Sequence, residues 1–266
     1  MTDTFKRLFG VSKPVIGMVH FGALPGSPLF DPNQDLVADA RADLLALQSA
    51  GFDAVMFGNE NDRPYEFSVD TASTATMANV IGELKSDITV PFGVNVLWDP
   101  MATVALGAAT GASFVREIFT GMYASDMGAW VTDAGKAMRY RNRLGRSDMA
   151  MLYNVSAEFA CSLDQRPLPD RARSAVFSSI PDAVLVSGQI TGEAAALSDL
   201  SAVKAVLPNT PVMANTGVKL DTVAEVLQIA DGCIVGSSLK IDGDTWNAVD
   251  PDRAQRFMEV AKEART

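Results

Sequence analysis

The chain of 266 residues contains one histidine, His20, which ends the first apolar run of the sequence. Because an imidazole titrates near neutral pH, we predict that His20 is a general acid or base; the alternative is a hydrogen bond to a neighbouring loop alone. Two carboxylates, Glu60 and Glu117, lie at later apolar runs and are predicted to be catalytic. They could divide acid and base work, hold a cation such as Mg²⁺, or form ion pairs, Glu117 with Arg63 or Arg116.

Two further polar residues are predicted to belong to the catalytic group. Asn95 interrupts an apolar run, and an unpaired buried amide costs about 1–3 kcal/mol, so it needs a ligand, a side chain or water as its partner. Asp126 lies in a Gly-containing segment, residues 120–130, which is either an active-site loop or a connector. Its carboxylate either closes over a substrate or caps a helix.

Small polar residues that follow the later apolar runs are predicted to contact the substrate. These residues are Asn154, Glu158, Ser187 and Asn215. The sequence identifies no certain cofactor, and Mg²⁺ stays open as a ligand of the paired carboxylates.

Two glycine-containing turns, at residues 214–218 and 235–239, are predicted to bind a phosphate. Backbone N–H groups and small hydroxyls in such turns are good anion donors, although glycine here is also explained by turn geometry alone. The predicted phosphate ligands are Gly217, Gly236, Ser237 and Lys240. Lys240 would neutralise the anion, or it is simply a solvated lysine.

These side chains need a scaffold that brings many strand ends together, and the apolar pattern predicts one. Eight short apolar runs, typical of strands buried on both faces, alternate with helical periodicity such as that of residues 35–50 and 221–230. The predicted strands are residues 15–20, 54–57, 92–97, 114–118, 150–155, 183–186, 212–214 and 233–236. We therefore predict a single α/β domain over residues 1–266, a (β/α)8 TIM barrel with a short N-terminal extension at residues 1–12. A doubly wound sheet is less favoured, because no G-x-G-x-x-G follows the first strand.

The amino-acid composition argues against several classes of binding partner and location for this protein. With 22 Lys+Arg against 32 Asp+Glu the formal charge is −10, which argues against nucleic acid. The two cysteines, 72 positions apart, give no disulfide framework and predict a reducing compartment. No run approaches the roughly 18 apolar residues of a membrane span, so we expect a cytoplasmic protein without integral membrane association.

Several stretches together resemble the BtpA/SgcQ family, over about residues 14–257. They are Pro-Val-Ile-Gly-Met-Val-His with Leu-Pro-Gly-Ser-Pro (14–28), Gly-Val-Asn-Val-Leu (93–97), Tyr-Ala-Ser-Asp-Met-Gly (123–128), Arg-Tyr-Arg-Asn-Arg-Leu-Gly (139–145), Val-Ser-Gly with Thr-Gly (186–192) and the segment 234–247. The resemblance implies a TIM barrel of the ribulose-phosphate-binding kind. Members of the photosynthetic type have Val-Lys-His after the fifth strand, where this chain has Ala157-Glu158-Phe159, so it is more similar to the SgcQ-like branch.

Three functions are compatible with these observations. The first is an enzyme, a lyase, isomerase or hydrolase, that acts on a small phosphorylated sugar or nucleoside-derived metabolite as a homo-oligomer. The second, implied by the family's link to photosystem I biogenesis, is a non-catalytic assembly or stability factor. The third is a nucleoside triphosphatase, a label that some family members carry, which the absence of G-x-x-x-x-G-K-[ST] disfavours.

Overall fold

A computed structural model describes residues 3–265 and contains a closed parallel barrel. The strands are β1 (Val15–His20), β2 (Ala54–Gly58), β3 (Phe92–Asn95), β4 (Phe114–Glu117), β5 (Met122–Ser125), β6 (Gly128–Val131), β7 (Ala150–Asn154), β8 (Ala160–Ser162), β9 (Ala183–Val186), β10 (Val212–Ala214) and β11 (Cys233–Val235). Eight of them close in the order β1-β11-β10-β9-β7-β4-β3-β2, and β1 pairs in parallel with both β2 and β11. The predicted TIM barrel is confirmed, with each predicted barrel strand within two residues of its observed end.

Helices cover the outside of this barrel. They are α1 (Asp3–Phe9), α2 (Leu36–Ala50), α3 (Thr71–Glu83), α4 (Pro100–Thr110), α5 (Ala134–Arg143), α6 (Leu168–Ser179), α7 (Leu197–Val206), α8 (Val223–Ile229) and α9 (Pro251–Ala264). The start of α2 follows from its sequence, because the Asp35 carboxylate accepts the N–H of Ala38. Its end follows from Gly51, which adopts the left-handed conformation with φ 82°.

Strand side chains alternate between two apolar layers. Inward residues such as Met56 and Phe114 fill the barrel, whereas outward residues such as Phe57 pack under the helices. Gly93 is required inside the barrel, since a Cβ there would lie 2.2 Å from the Phe114 ring. At the last inward position of most strands the apolar filling gives way to polar side chains, and this change of character defines the mouth.

The predicted N-terminal extension is part of the barrel's closure. Phe5 and Phe9 of α1 are buried at the end opposite the mouth, where the Phe9 and Phe114 rings meet edge to face with centroids 5.5 Å apart. The first two residues of the extension lie outside the described residues.

The segment predicted as an active-site loop or a connector forms a β-hairpin. Strands β5 and β6 pair antiparallel, and β8 adds to β5 to give a three-stranded sheet in the order β6-β5-β8. Tyr123 and Trp130 on its inner face are buried, and the Trp130 ring meets that of Trp98 with centroids 4.7 Å apart. The sheet therefore covers the side of the mouth formed by β3, β4 and β7.

A buried ion pair fastens the loop after β11 to α2. The Lys240 ammonium lies 2.5 Å from the Asp43 carboxylate, and the two side chains are 1% and 7% exposed. The second Asp43 oxygen accepts the N–H of Val249 at 2.7 Å. Lys240 is predicted as a phosphate ligand or a solvated lysine. It is not solvated and does not line the pocket, because its ammonium is paired with the Asp43 carboxylate inside the fold.

Asp43→Asn is expected to lower the free energy of unfolding by about 3–5 kcal/mol, because it leaves the Lys240 ammonium buried without a counter-charge. Urea denaturation measures the change. The matched control Asp43→Asn/Lys240→Met keeps an acceptor for Val249, removes the ammonium and is expected to recover at least half of the loss. A cost below about 1 kcal/mol for Asp43→Asn, the range of surface pairs, would contradict this role.

Candidate active site

The mouth of the barrel carries a layer of polar side chains and a deep pocket. The inward positions at the ends of the strands place there His20, Asn95, Arg116, Asn154, Ser187 and Asn215. Next to this layer is a pocket of about 1040 Å³, lined mainly by residues that follow β9, β10 and β11, together with His20, Arg116 and Glu158. This location, at the carboxyl ends of the strands, is where TIM barrels bind their ligands.

Arg116 is the charged group at the centre of the layer. Its guanidinium donates to the amide oxygens of Asn95 at 2.7 Å and Asn215 at 3.1 Å. The side chain is 7% exposed and lines the pocket, yet within residues 3–265 no carboxylate oxygen lies within 4 Å of it. Arg116 is not among the site residues predicted from the sequence, although strand alternation from the inward Phe114 places it in the barrel mouth.

Asn95 finds its partners within the protein. Its amide nitrogen donates to the Arg116 carbonyl at 2.8 Å and to the Glu117 carboxylate at 3.2 Å, while its oxygen accepts from Arg116. The sequence left a ligand, a side chain or water as the partner of this amide, and in the structure its partners are groups of the protein. Asn95 is fully buried, so it positions Arg116 and Glu117 from beneath.

His20 is held as a neutral imidazole. Its Nδ1 lies 3.4 Å from the Thr245 carbonyl, which assigns the proton to Nδ1 and leaves a lone pair on Nε2. Burial, with the nearby Lys240 charge as the next cause, lowers the pKa of His20 to about 3. Gly236 leaves room beside the ring, because a Cβ there would lie 3.1 Å from Nε2.

Glu60 lies behind His20. The distance from its Oε1 to His20 Nε2 is 3.7 Å, and its Oε2 is buried with no hydrogen-bond partner among the described residues. Gly58 makes this position possible, since a Cβ there would lie 2.4 Å from Oε2. Burial raises the pKa of Glu60, an effect that Arg116 opposes, so Glu60 favours its protonated form more than an exposed glutamate does.

Glu117 sits on the opposite side of Asn95, under the three-stranded sheet. Besides Asn95, its carboxylate accepts the N–H of Ile118, and within the described chain neither Arg63 nor Arg116 lies within ion-pair distance of it. Burial raises the pKa of Glu117 to about 7. A group that titrates near neutral pH suits proton transfer.

The predicted substrate ligands form a hydrogen-bonded chain around the mouth. Asn154 and Asn215 each donate to the Ser187 hydroxyl oxygen at 2.7 Å. Glu158 accepts from the Thr191 hydroxyl at 2.9 Å and lines the pocket. Burial raises the pKa of Glu158, and Arg116 opposes the shift. The structure thus brings all four predicted residues to the mouth.

The predicted phosphate turns border the pocket. Gly217, with φ 64°, packs so tightly that a Cβ would lie 2.0 Å from the Ala194 nitrogen. The Ser237 hydroxyl lies 2.6 Å from that of Thr245. Lys240 is absent from the lining, and the cations that line the pocket together with Arg116 are Lys219, Arg253 and Arg256, none of which we predicted.

Asp126 does not join the site. It lies exposed in the turn between β5 and β6, outside the pocket lining, and the carboxylate that caps the following helix α5 is that of Asp133. Both roles considered for Asp126, a substrate-covering acid and a helix cap, are therefore unsupported by its position.

The described residues offer neither a cluster of metal ligands nor a membrane-spanning helix. No group of three or more His, Cys, Asp or Glu side chains there is arranged to hold a metal ion, so a Mg²⁺ site at Glu60 or Glu117 would have fewer than three such ligands. Within residues 3–265, no helix combines the length and apolar character needed to cross a membrane.

Comparisons with known proteins place the chain in a family. The BtpA family profile matches residues 11–263. Over 257 residues the chain is 48% identical to the putative sgc region protein SgcQ of Escherichia coli K12, covering 96% of each. It is 32% identical to the photosystem I biogenesis protein BtpA of Synechocystis, covering 98% of this chain and 92% of that one.

Solved structures share the architecture at low sequence identity. The N-(5'-phosphoribosyl)anthranilate isomerase of Pyrococcus furiosus superposes with a TM-score of 0.58 at 14% identity, over 94% of this chain and 99% of that chain. This likeness shows the fold alone. The profile match and the identity to SgcQ confirm the resemblance found in the sequence, and the chain belongs to the BtpA family.

Proposed function

We propose that this protein is an enzyme that acts on a small phosphorylated sugar or nucleoside-derived metabolite by acid–base chemistry. One observation carries the proposal: a neutral imidazole with a free lone pair and a buried guanidinium, which has no carboxylate partner among residues 3–265, line the same pocket. A buried charge without an ionic partner is unfavourable in a purely structural role. It is well suited to an anionic substrate or to charge that develops during a reaction.

The phosphate end of the substrate is assigned to the turns at Gly217 and Gly236, with Ser237. Lys219, Arg253 and Arg256 line this side of the pocket. With Arg116 they slightly outnumber the lining carboxylates of Glu158, Glu193 and Asp221, in a chain of net charge −10. Local charge of this kind attracts anions even when the whole protein is acidic.

The reacting end is assigned to His20, which lines the pocket, and to Glu60 and Glu117, which lie outside the lining and contact His20 and Asn95 respectively. His20 Nε2 is unprotonated at neutral pH, but its low pKa makes it a weak base in the empty pocket. An anionic substrate beside the ring raises that pKa, and Nε2 then accepts a proton from the substrate. Glu60 and Glu117, whose pKa values are raised by burial, supply or take up the second proton. This division serves a lyase, an isomerase or a hydrolase, and the phosphate holds the reacting carbon in place.

The alternative is an assembly factor, which the name of the Synechocystis relative suggests. Such a role needs no buried acid–base groups beside a pocket, so the site favours the enzyme. A cytoplasmic location is part of the proposal, supported by two free cysteines, one exposed and one buried.

Ligand binding is tested first by thermal denaturation with sugar phosphates, nucleotides and their dephosphorylated forms. A phosphorylated ligand at about 100 times its Kd is expected to stabilise the protein by about 2.7 kcal/mol, and its dephosphorylated form much less. Lys219→Glu/Arg256→Glu is expected to remove most of this shift. The control Arg143→Glu/Arg173→Glu reverses two exposed charges outside the pocket lining and should leave the shift intact. Equal shifts for both ligand forms would count against the phosphate site.

Catalysis by His20 is tested on the compound that the panel identifies. His20→Asn is expected to lower kcat by about 10²–10⁴-fold, because the asparagine has no basic nitrogen, while the ligand-induced thermal shift persists. Product formation is followed by NMR. Turnover within a few-fold of the unsubstituted enzyme would remove His20 from the mechanism.

The raised pKa of Glu117 predicts a pH dependence of stability. Between the unfolded value of 4.5 and about 7 the folded protein binds the extra proton, so this stabilisation is present at low pH and is lost as pH rises through 7. From pH 6 to 8 the protein should lose about 1 kcal/mol more than Glu117→Gln does. Urea denaturation at both pH values gives the difference; the same pH dependence in both proteins would refute the shift.

A further inference from the structure

The three-stranded sheet leaves one of its faces uncovered. Its inner face buries Tyr123 and Trp130, whereas on the other side Met122, Val131 and Leu163 are 46%, 67% and 51% exposed. Three small residues alternate with them on the same side and are also exposed: Ala124, Ala129 and Cys161. We call these six residues the outer sheet face.

The strand register arranges the six side chains in two parallel rows. Met122 lies opposite Val131, and the N–H of Leu163 donates to the Met122 carbonyl, which makes a bulky row of three residues across the sheet. Ala124 lies opposite both Ala129 and Cys161, which makes a neighbouring row of three small residues. The bulky row and the small row are two positions apart along each strand and therefore point to the same side.

We propose that the outer sheet face is the contact surface between two copies of this chain. None of its six residues is charged, although charged residues make up 20% of the chain and its net charge is −10. Apolar patches of this kind on the surface of an isolated chain are typical of interaction sites. The absence of charge means that the patch selects its partner by shape, without electrostatic complementarity.

The two rows match each other when the sheet faces a second copy. A two-fold axis that runs between the rows and parallel to them places the bulky row of each copy over the small row of the other. Met122 then faces Ala124 of the partner subunit, and Leu163 faces Cys161 of the partner subunit. Large side chains over small ones pack two sheets closely, and an isologous contact needs this self-complementarity. The pattern therefore favours a second copy over an unrelated protein.

The interface is tested by light scattering after size-exclusion chromatography, at about 100 µM protein. The unsubstituted protein is expected to have twice the chain mass of 28.3 kDa. Met122→Asp is expected to raise the dimer dissociation constant by on the order of 100-fold, because it buries a charge at the interface. The control Phe177→Asp changes an apolar residue that is 89% exposed on α6, away from the outer sheet face, and should remain dimeric.

An exchange of the two rows tests the arrangement itself. Ala124→Met alone places bulk against bulk and is expected to weaken the dimer. The double variant Met122→Ala/Ala124→Met again places a methionine opposite an alanine, with the two positions exchanged. It is expected to restore the dimer. Circular dichroism and thermal denaturation show that each variant is folded, and a variant that does not fold is replaced by Val131→Lys, which is expected to dissociate the dimer in the same way.

Cys161 provides a second readout at the same surface, since it is exposed while Cys233 is buried. In the dimer its reaction with a maleimide should be at least about tenfold slower than in Met122→Asp, because the facing subunit covers the thiol. A monomeric unsubstituted protein, a dimer that survives Met122→Asp, or a dimer dissociated by Phe177→Asp would each overturn the proposal. These outcomes involve no ligand, so they leave the proposed enzymatic function untouched.

Discussion

The geometry of the mouth depends on one buried cation. The Arg116 guanidinium on β4 donates both to Asn95 on the neighbouring β3 and to Asn215 beyond β10, on another part of the barrel wall. Each of these amides donates a further hydrogen bond, Asn95 to the Glu117 carboxylate and Asn215 to the Ser187 hydroxyl. A charge withdrawn from water needs such partners, and the two neutral amide oxygens accept hydrogen bonds from the guanidinium without neutralising it. The same hydrogen bonds from Arg116 therefore hold the side chains of the mouth in place and leave a positive charge at its centre.

Burial then sets the protonation states around this cation. It lowers the pKa of His20 and raises the pKa values of Glu60, Glu117 and Glu158, so burial shifts each group toward its neutral form. The Arg116 charge opposes the shift of each of the three carboxyls, but it ranks below burial for all of them. Shifts toward the neutral form beside a fixed positive charge favour the entry of an anion, because they reduce the negative charge that would repel it.

The sequence was sufficient for the barrel because its signals are local. Short apolar runs, helix caps such as Asp35 and stops such as Gly51 act within a few residues, and the predicted strands agree with the observed ones to within two residues. The residues at the strand ends were also predictable, since the ends of parallel strands share one edge. Lys240 and Asp126 were misplaced for a different reason: the partner of Lys240 lies 197 positions away, and the position of Asp126 depends on a hairpin whose pairing with β8 joins distant segments.

Arg116 is a site residue that could have been predicted from the sequence. The Phe-Val-Arg-Glu strand alternates, and once Phe114 is assigned to the barrel interior its arginine must point the same way, into the mouth. Lys219, Arg253 and Arg256 carried no such signal, because their approach to the pocket depends on how α8 and α9 pack beyond the barrel. The two sides of the mouth consequently differ: β9, β10 and β11 open onto the pocket, while the three-stranded sheet roofs the side of β3, β4 and β7 with Trp98 and Trp130. The outer sheet face lies on the outside of this roof and the pocket lies on the other side of the mouth, so the surface available for assembly is separate from the surface available for a ligand.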